Sequence, residues 1–115
     1  MAIEIDQSGK LEQLDTDTVV AFSNDTHAAV YLKAGAKRKI IRYLRTTLIP
    51  RKDLYPILFA IVIFILTSHL DNNTILLIDE EYSGKNEIIK ETLEKLLVRR
   101  FGERWSGSIR FGQIG

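Results

Sequence analysis

Residues 57–66 run Ile-Leu-Phe-Ala-Ile-Val-Ile-Phe-Ile-Leu, ten apolar positions without a break, and any fold of this chain has to hide them. A helix that crosses a bilayer needs about 20 apolar residues. Extending this run to residues 54–67 still falls short, and Pro56 on one side with Ser68, His69 and Asp71 on the other close it off. A helix apolar on every side is also what a globular core buries at its centre. The expectation is a buried helix over residues 54–70, capped by Asp53, whose carboxylate would accept from the unpaired first-turn amides. Pro56 costs that first turn no needed donor.

With 115 residues, 45% of them hydrophobic and 27% charged, the chain is one domain long and can bury roughly two-thirds of its unfolded surface. It contains no cysteine, which excludes disulfides, thiolate zinc sites and cysteine nucleophiles. Hard oxygen-ligand chemistry stays open. The N-terminus lacks the basic and long apolar regions of a signal peptide, so a cytoplasmic protein without a membrane partner is expected. A purely structural or oligomerising role for the apolar helix is a further alternative, and the sequence leaves the oligomeric state open.

Around this helix the periodicities predict alternating elements. Residues 2–6 alternate Ile3 and Ile5 against Glu4 and Asp6, as a half-buried strand does, and residues 7–10 read as a turn. Residues 18–23 and 28–32 are β-prone and flank an Asn24-Asp25 turn, completing a meander. Ile40, Ile41, Leu44 and Leu48 then recur at helical spacing; a third hairpin arm over residues 39–44 is the alternative. Residues 74–78, ending in Asp79, read as a strand buried on both faces. Ser83 is placed to cap a helix with an Ile89, Leu93, Leu96 and Leu97 stripe, Gly102 to end it, and residues 108–111 form a last strand. The result is a single α/β domain over residues 1–115, with a mixed five-stranded sheet and flanking helices.

Two carboxylates stand out in this order. Asp6 ends the first strand and Asp79 ends the first strand after the apolar helix, and in a mixed sheet these strands can lie side by side. Paired carboxylates at one sheet edge are natural oxygen ligands for magnesium or manganese, although a single aspartate after an apolar strand is more often a turn former. The segments Ile5-Asp6-Gln7-Ser8-Gly9 and Ile75-Leu76-Leu77-Ile78-Asp79-Glu80-Glu81-Tyr82 are where the chain resembles the ribonuclease H-like superfamily. The first is similar to that family's first-strand aspartate and turn, the second to its fourth strand, with a tyrosine three residues after the aspartate.

The resemblance implies metal-dependent phosphodiester hydrolysis on RNA, an RNA–DNA hybrid or structured DNA, with two divalent ions about 4 Å apart. Asp6 would bridge them, Asp79 would hold one, and Glu80, Glu81 and Asp53 compete for a third position. Two features depart from the family's pattern. Ile57, Leu58 and Phe59 stand where the central helix usually carries an acid, and no acid-bearing helix follows the last strand, which implies truncation before it or a reduced site. Those absences favour a non-catalytic module that binds nucleic acid or a partner protein.

The charge pattern bears on both readings. The first 25 residues hold six acids and one base, whereas residues 26–52 hold eight bases and no acid. A block of that kind is either a solvated face or a polyanion-binding surface, and Lys37, Arg38, Lys39, Arg42 and Arg45 are the candidate contacts to nucleic acid. Trp105 beside Arg104 can stack a base, though packing under a loop is the commoner role. His27 and His69 are solitary, and Ser8-Gly9-Lys10 is too short for a phosphate loop.

Overall fold

A computed structural model describes residues 2–23 and 27–112, so the expected Asn24-Asp25 turn lies outside the described residues. The elements run β1 (Ala2–Ser8), β2 (Thr18–Ser23), β3 (His27–Leu32), α1 (Ala34–Leu44), α2 (Leu54–Thr67), β4 (Ile75–Asp79), α3 (Asn86–Phe101) and β5 (Ser108–Gly112). The strands form one sheet in the order β3-β2-β1-β4-β5. The first three make an antiparallel meander, and β4 and β5 add to β1 in parallel. Parallel neighbours need long connections, which α1 and α2 supply before β4 and α3 before β5.

Alternation gives the sheet two unlike faces. Ile3, Ile5, Val20, Phe22, Leu76, Ile78 and Ile109 point inward and are buried with Leu58, Phe59, Ile63, Ile89, Leu93 and Leu97 of the helices. Burying each such side chain contributes about 1.5–3 kcal/mol, so α2 and its apolar run anchor the fold. The opposite face carries Glu4, Asp6, Ala21, Ala29, Tyr31, Leu77, Asp79 and Arg110, all exposed or half-buried. No helix among the described residues is long and apolar enough to cross a membrane.

Several expectations need correction. Helix α2 stops at Thr67 rather than residue 70, where a turn hydrogen bond from the Leu70 amide to the Thr67 carbonyl takes over. Its all-round apolarity does not mean all-round burial, since Ile65 is 54% exposed. Asp53 does not cap it: its backbone (φ −107°, ψ 0°) belongs to the preceding 3-10 turn Arg51–Asp53, whereas a capping side chain needs an extended backbone to swing over the first turn. Ser83 does not cap α3 either, because Gly84 at φ +75° breaks the helical path and the helix starts at Asn86. Gly102 (φ +66°) closes α3 as expected.

The segment after β3 is the helix rather than a third hairpin arm. Asp17, from the loop before β2, caps it from a distance: its Oδ1 accepts from the Ala34 amide at 2.8 Å. That bond holds the Asp17 carboxyl below its usual range; desolvation opposes it next, and Lys33 and Lys37 add to the lowering. Gly9 sits at φ +78°, and a Cβ there would run into the Asp17 carbonyl, so the turn after β1 requires glycine.

Candidate metal site and basic surface

The parallel register pairs Ile5 with Ile78, and one step further along both strands sets Asp6 beside Asp79. Because Ile5 and Ile78 face the core, their neighbours must face the open side of the sheet. Asp79 closes β4, whereas Asp6 does not end β1 as expected, because Gln7 and Ser8 continue the strand in register with Val20 and Val19 of β2. Both aspartates stand just past the end of the parallel pairing, on the carboxyl side where open α/β sheets bind their ligands. Glu81 joins them from the segment after β4. One carboxylate oxygen from each of Asp6, Asp79 and Glu81 lies within 4.8 Å of the others, inside the roughly 8 Å that carboxylates sharing one or two ions span.

Packing behind the cluster aims Glu81. Tyr82 is buried, its ring 5.4 Å from that of Phe59 and its hydroxyl donating to Gln7 Oε1 at 3.3 Å. The Glu80 amide donates to the Gly112 carbonyl at 3.1 Å. These contacts tie the chain after β4 to the end of β1 and to β5. Desolvation, then the charges of Asp79 and Asp6, push the Glu81 carboxyl above its usual range, with the Gln7 amide opposing. Gln7 escapes a reading of the sequence because its role is set by Tyr82, 75 residues away.

The other two candidates for the third position point elsewhere. Glu80 Oε2 accepts from Asn86 Nδ2 at 3.0 Å. Asp53, itself mostly buried, pairs with Lys85 Nζ at 3.0 Å. Where an acid in the central helix would stand, Leu58 and Phe59 are core residues. Beside Asp6 an open groove of about 580 Å³ crosses the sheet, with Ala21 and Ala29 among its lining and His27 and Tyr31 beyond.

The basic block divides in two. Lys37 is fully buried and is withdrawn from the set of nucleic-acid contacts. Its ammonium donates to the carbonyls of Lys10 (3.2 Å) and Gln13 (2.7 Å) and to Thr18 Oγ1 (2.9 Å), which uses all three of its protons. Burial lowers its pKa, with Asp17 and Glu12 opposing. Arg38 donates to the Leu14 carbonyl at 2.8 Å and lies 3.9 Å from Asp15, and Lys33 pairs with Asp17 at 3.5 Å. Lys39, Arg42 and Arg45 are exposed, as are Arg51 and Lys52 beyond the helix. Tyr43 and Leu48 stand among them, 69% and 102% exposed. Trp105 is half-buried and stacks on Phe101 at 5.9 Å.

Compared with protein-family models, with curated proteins and with solved structures, the chain matches none.

The donor set suits a hard divalent cation, because all three groups are carboxylates and none is a thiolate or imidazole.

Proposed function

We propose that this chain is a ribonuclease H-like domain that uses magnesium or manganese to hydrolyse phosphodiester bonds in nucleic acid. The observation that carries the reading is the convergence of Asp6, Asp79 and Glu81 just past the point where the parallel pairing of β1 with β4 ends. When bound, divalent ions supply an activated water and stabilise the leaving oxygen of an in-line displacement. Asp6 and Asp79 hold the cation, and Glu81 completes the set. Lys39, Arg42 and Arg45 draw the polyanion toward the domain by long-range attraction. A second reading, a module that binds nucleic acid without cutting it, is favoured by one observation: Asp53, a candidate further acid, is held by Lys85.

Metal binding is tested by melting. A cation at a hundredfold excess over its Kd stabilises the folded state by about 2.7 kcal/mol, which for a domain of this size is roughly 10 °C in Tm. Manganese is expected to raise the Tm of the wild type by this order and leave that of Asp6→Asn nearly unmoved. In chelator, Glu81→Gln should melt slightly higher than wild type, since it removes like-charge repulsion. An unchanged wild-type Tm in manganese rules out the metal site.

The basic surface is tested by salt. Each phosphate contact steepens the fall of log affinity with log salt by about 0.9 for duplex DNA or 0.7 for a single strand. Reversing Lys39, Arg42 and Arg45 to glutamate is expected to flatten that slope by two to three such contacts and weaken binding to every sequence alike. Wild-type affinity for RNA, hybrid and DNA that ignores salt would reduce the block to a solvated face.

A further inference from the structure

The sheet has two edges, and they are built differently. Strand β5 is five residues long and carries the exposed Arg110 at its centre. A charge on an edge strand is a common guard against pairing with another chain. Strand β3, at the other edge, is His27-Ala28-Ala29-Val30-Tyr31-Leu32, with no Lys, Arg, Asp, Glu or Pro. Its register with β2 runs without a bulge from Ser23↔His27 to Thr18↔Leu32, so nothing twists this edge away from a partner. Tyr31 stands 68% exposed on it.

We propose that β3 pairs with β3 of a second copy of this chain, antiparallel about a two-fold axis at Ala29, joining the two sheets into one. In such an isologous contact the residue on the axis meets its own copy, so a charge there meets a like charge. Arg110 imposes that repulsion on β5. Ala29 on β3 does not. Centring on Ala29 sets His27 opposite Tyr31 on the open face, twice, and Ala28 opposite Val30 on the core side. Every pair from His27 to Tyr31 is then free of Lys, Arg, Asp and Glu, and the exposed Tyr31 ring gains a cross-strand neighbour. A second copy is the occupant that needs no charge or shape from outside this strand. The inference does not depend on metal binding or hydrolysis.

Sedimentation equilibrium of the wild-type chain should give about 26 kDa, twice the 13.2 kDa of one chain. Ala29→Lys places two like charges on the axis and is expected to raise the dissociation constant at least tenfold, with an unchanged circular dichroism spectrum. Because the chain has no cysteine, Ala29→Cys should oxidise to a covalent dimer. Tyr31→Cys should not, since its two copies would lie four residues apart along the strands, about 13 Å, beyond the reach of a disulfide. The cysteine pair decides the matter even if Ala29→Lys fails to fold. A monomeric wild type overturns the proposal, as does a dimer that survives Ala29→Lys or one in which Tyr31→Cys crosslinks as readily as Ala29→Cys. Association through another surface, or pairing with a different protein, would appear as one of those results.

Discussion

Lys37→Met is expected to destabilise the fold by about 3 kcal/mol, read from urea unfolding as a lower midpoint at unchanged slope. Methionine keeps the length and apolar character of the stem, so the change isolates the ammonium. Its removal takes a charged donor from the part-buried carbonyls of Lys10 and Gln13, which keep the amides of Gln13 and Thr16, and from the buried Thr18 hydroxyl. Hydrogen bonds to a charged group contribute about 1.5–3 kcal/mol each, partly recovered by relaxation and water. The loop at residues 10–17 then loses one of its ties to α1 and keeps those through Asp17 and Arg38, so its backbone amides should exchange faster than in wild type. A variant as stable as wild type would show that the loop is held by its other contacts, the Asp17 and Arg38 hydrogen bonds and buried Leu11.

The pH dependence separates this role from a surface charge. The folded pKa of Lys37 is depressed below the usual lysine value of 10.5, first by desolvation. Between the folded value and 10.5 the unfolded chain binds more protons than the folded one, so this group makes stability rise with pH across that window. Below the window both states are protonated and the full cost of burying the charge is present. The stability difference between wild type and Lys37→Met should therefore widen as pH climbs through the alkaline window. An exposed lysine would leave that difference flat.

Asp6→Asn and Asp79→Asn are each expected to lower manganese-dependent cleavage of RNA, hybrid or DNA by more than about a hundredfold, because replacing even an outer-shell partner of a metal ligand costs about 10–100-fold. Both side chains face the open side of the sheet, away from the core, so the variants should fold and, in chelator, melt no lower than wild type. Glu80→Gln is the control: its carboxylate is turned toward Asn86, and activity should be nearly unchanged. Equal losses for Glu80→Gln and Asp6→Asn would mean that the cluster does not set the activity. No cleavage by wild type, combined with salt-sensitive binding, would establish the non-catalytic module instead.

How much of this was legible in the sequence depends on the range of the interaction involved. Period-two alternation placed β1, and β-branched and aromatic residues placed β2 and β3, because those signals are carried by neighbours along the chain. The apolar run gave α2, and the order of elements gave a mixed five-stranded sheet. Both proposed helix caps failed for a local reason that the residue types do not reveal, the backbone conformations of Asp53 and Gly84.

The sequence by itself determined that Asp79 ends a strand and that Asp6 lies on one, in a chain without cysteine, and that α2 had to be buried, because apolarity and alternation are properties of single segments. That β1 runs on past Asp6 to Ser8 was decided by its pairing with β2. Only the tertiary structure decided that Glu81, rather than Glu80 or Asp53, joins the two aspartates, through Tyr82 locked between Phe59 and Gln7. It also decided that the acidic stretch at residues 12–17 folds against the basic one, taking Lys37 into the interior and leaving Lys39, Arg42 and Arg45 outside. Charge along a chain shows how many cations there are. Which of them face solvent is set by contacts between residues some 20 positions apart, and these exist only once the loop before β2 and the helix after β3 have packed together.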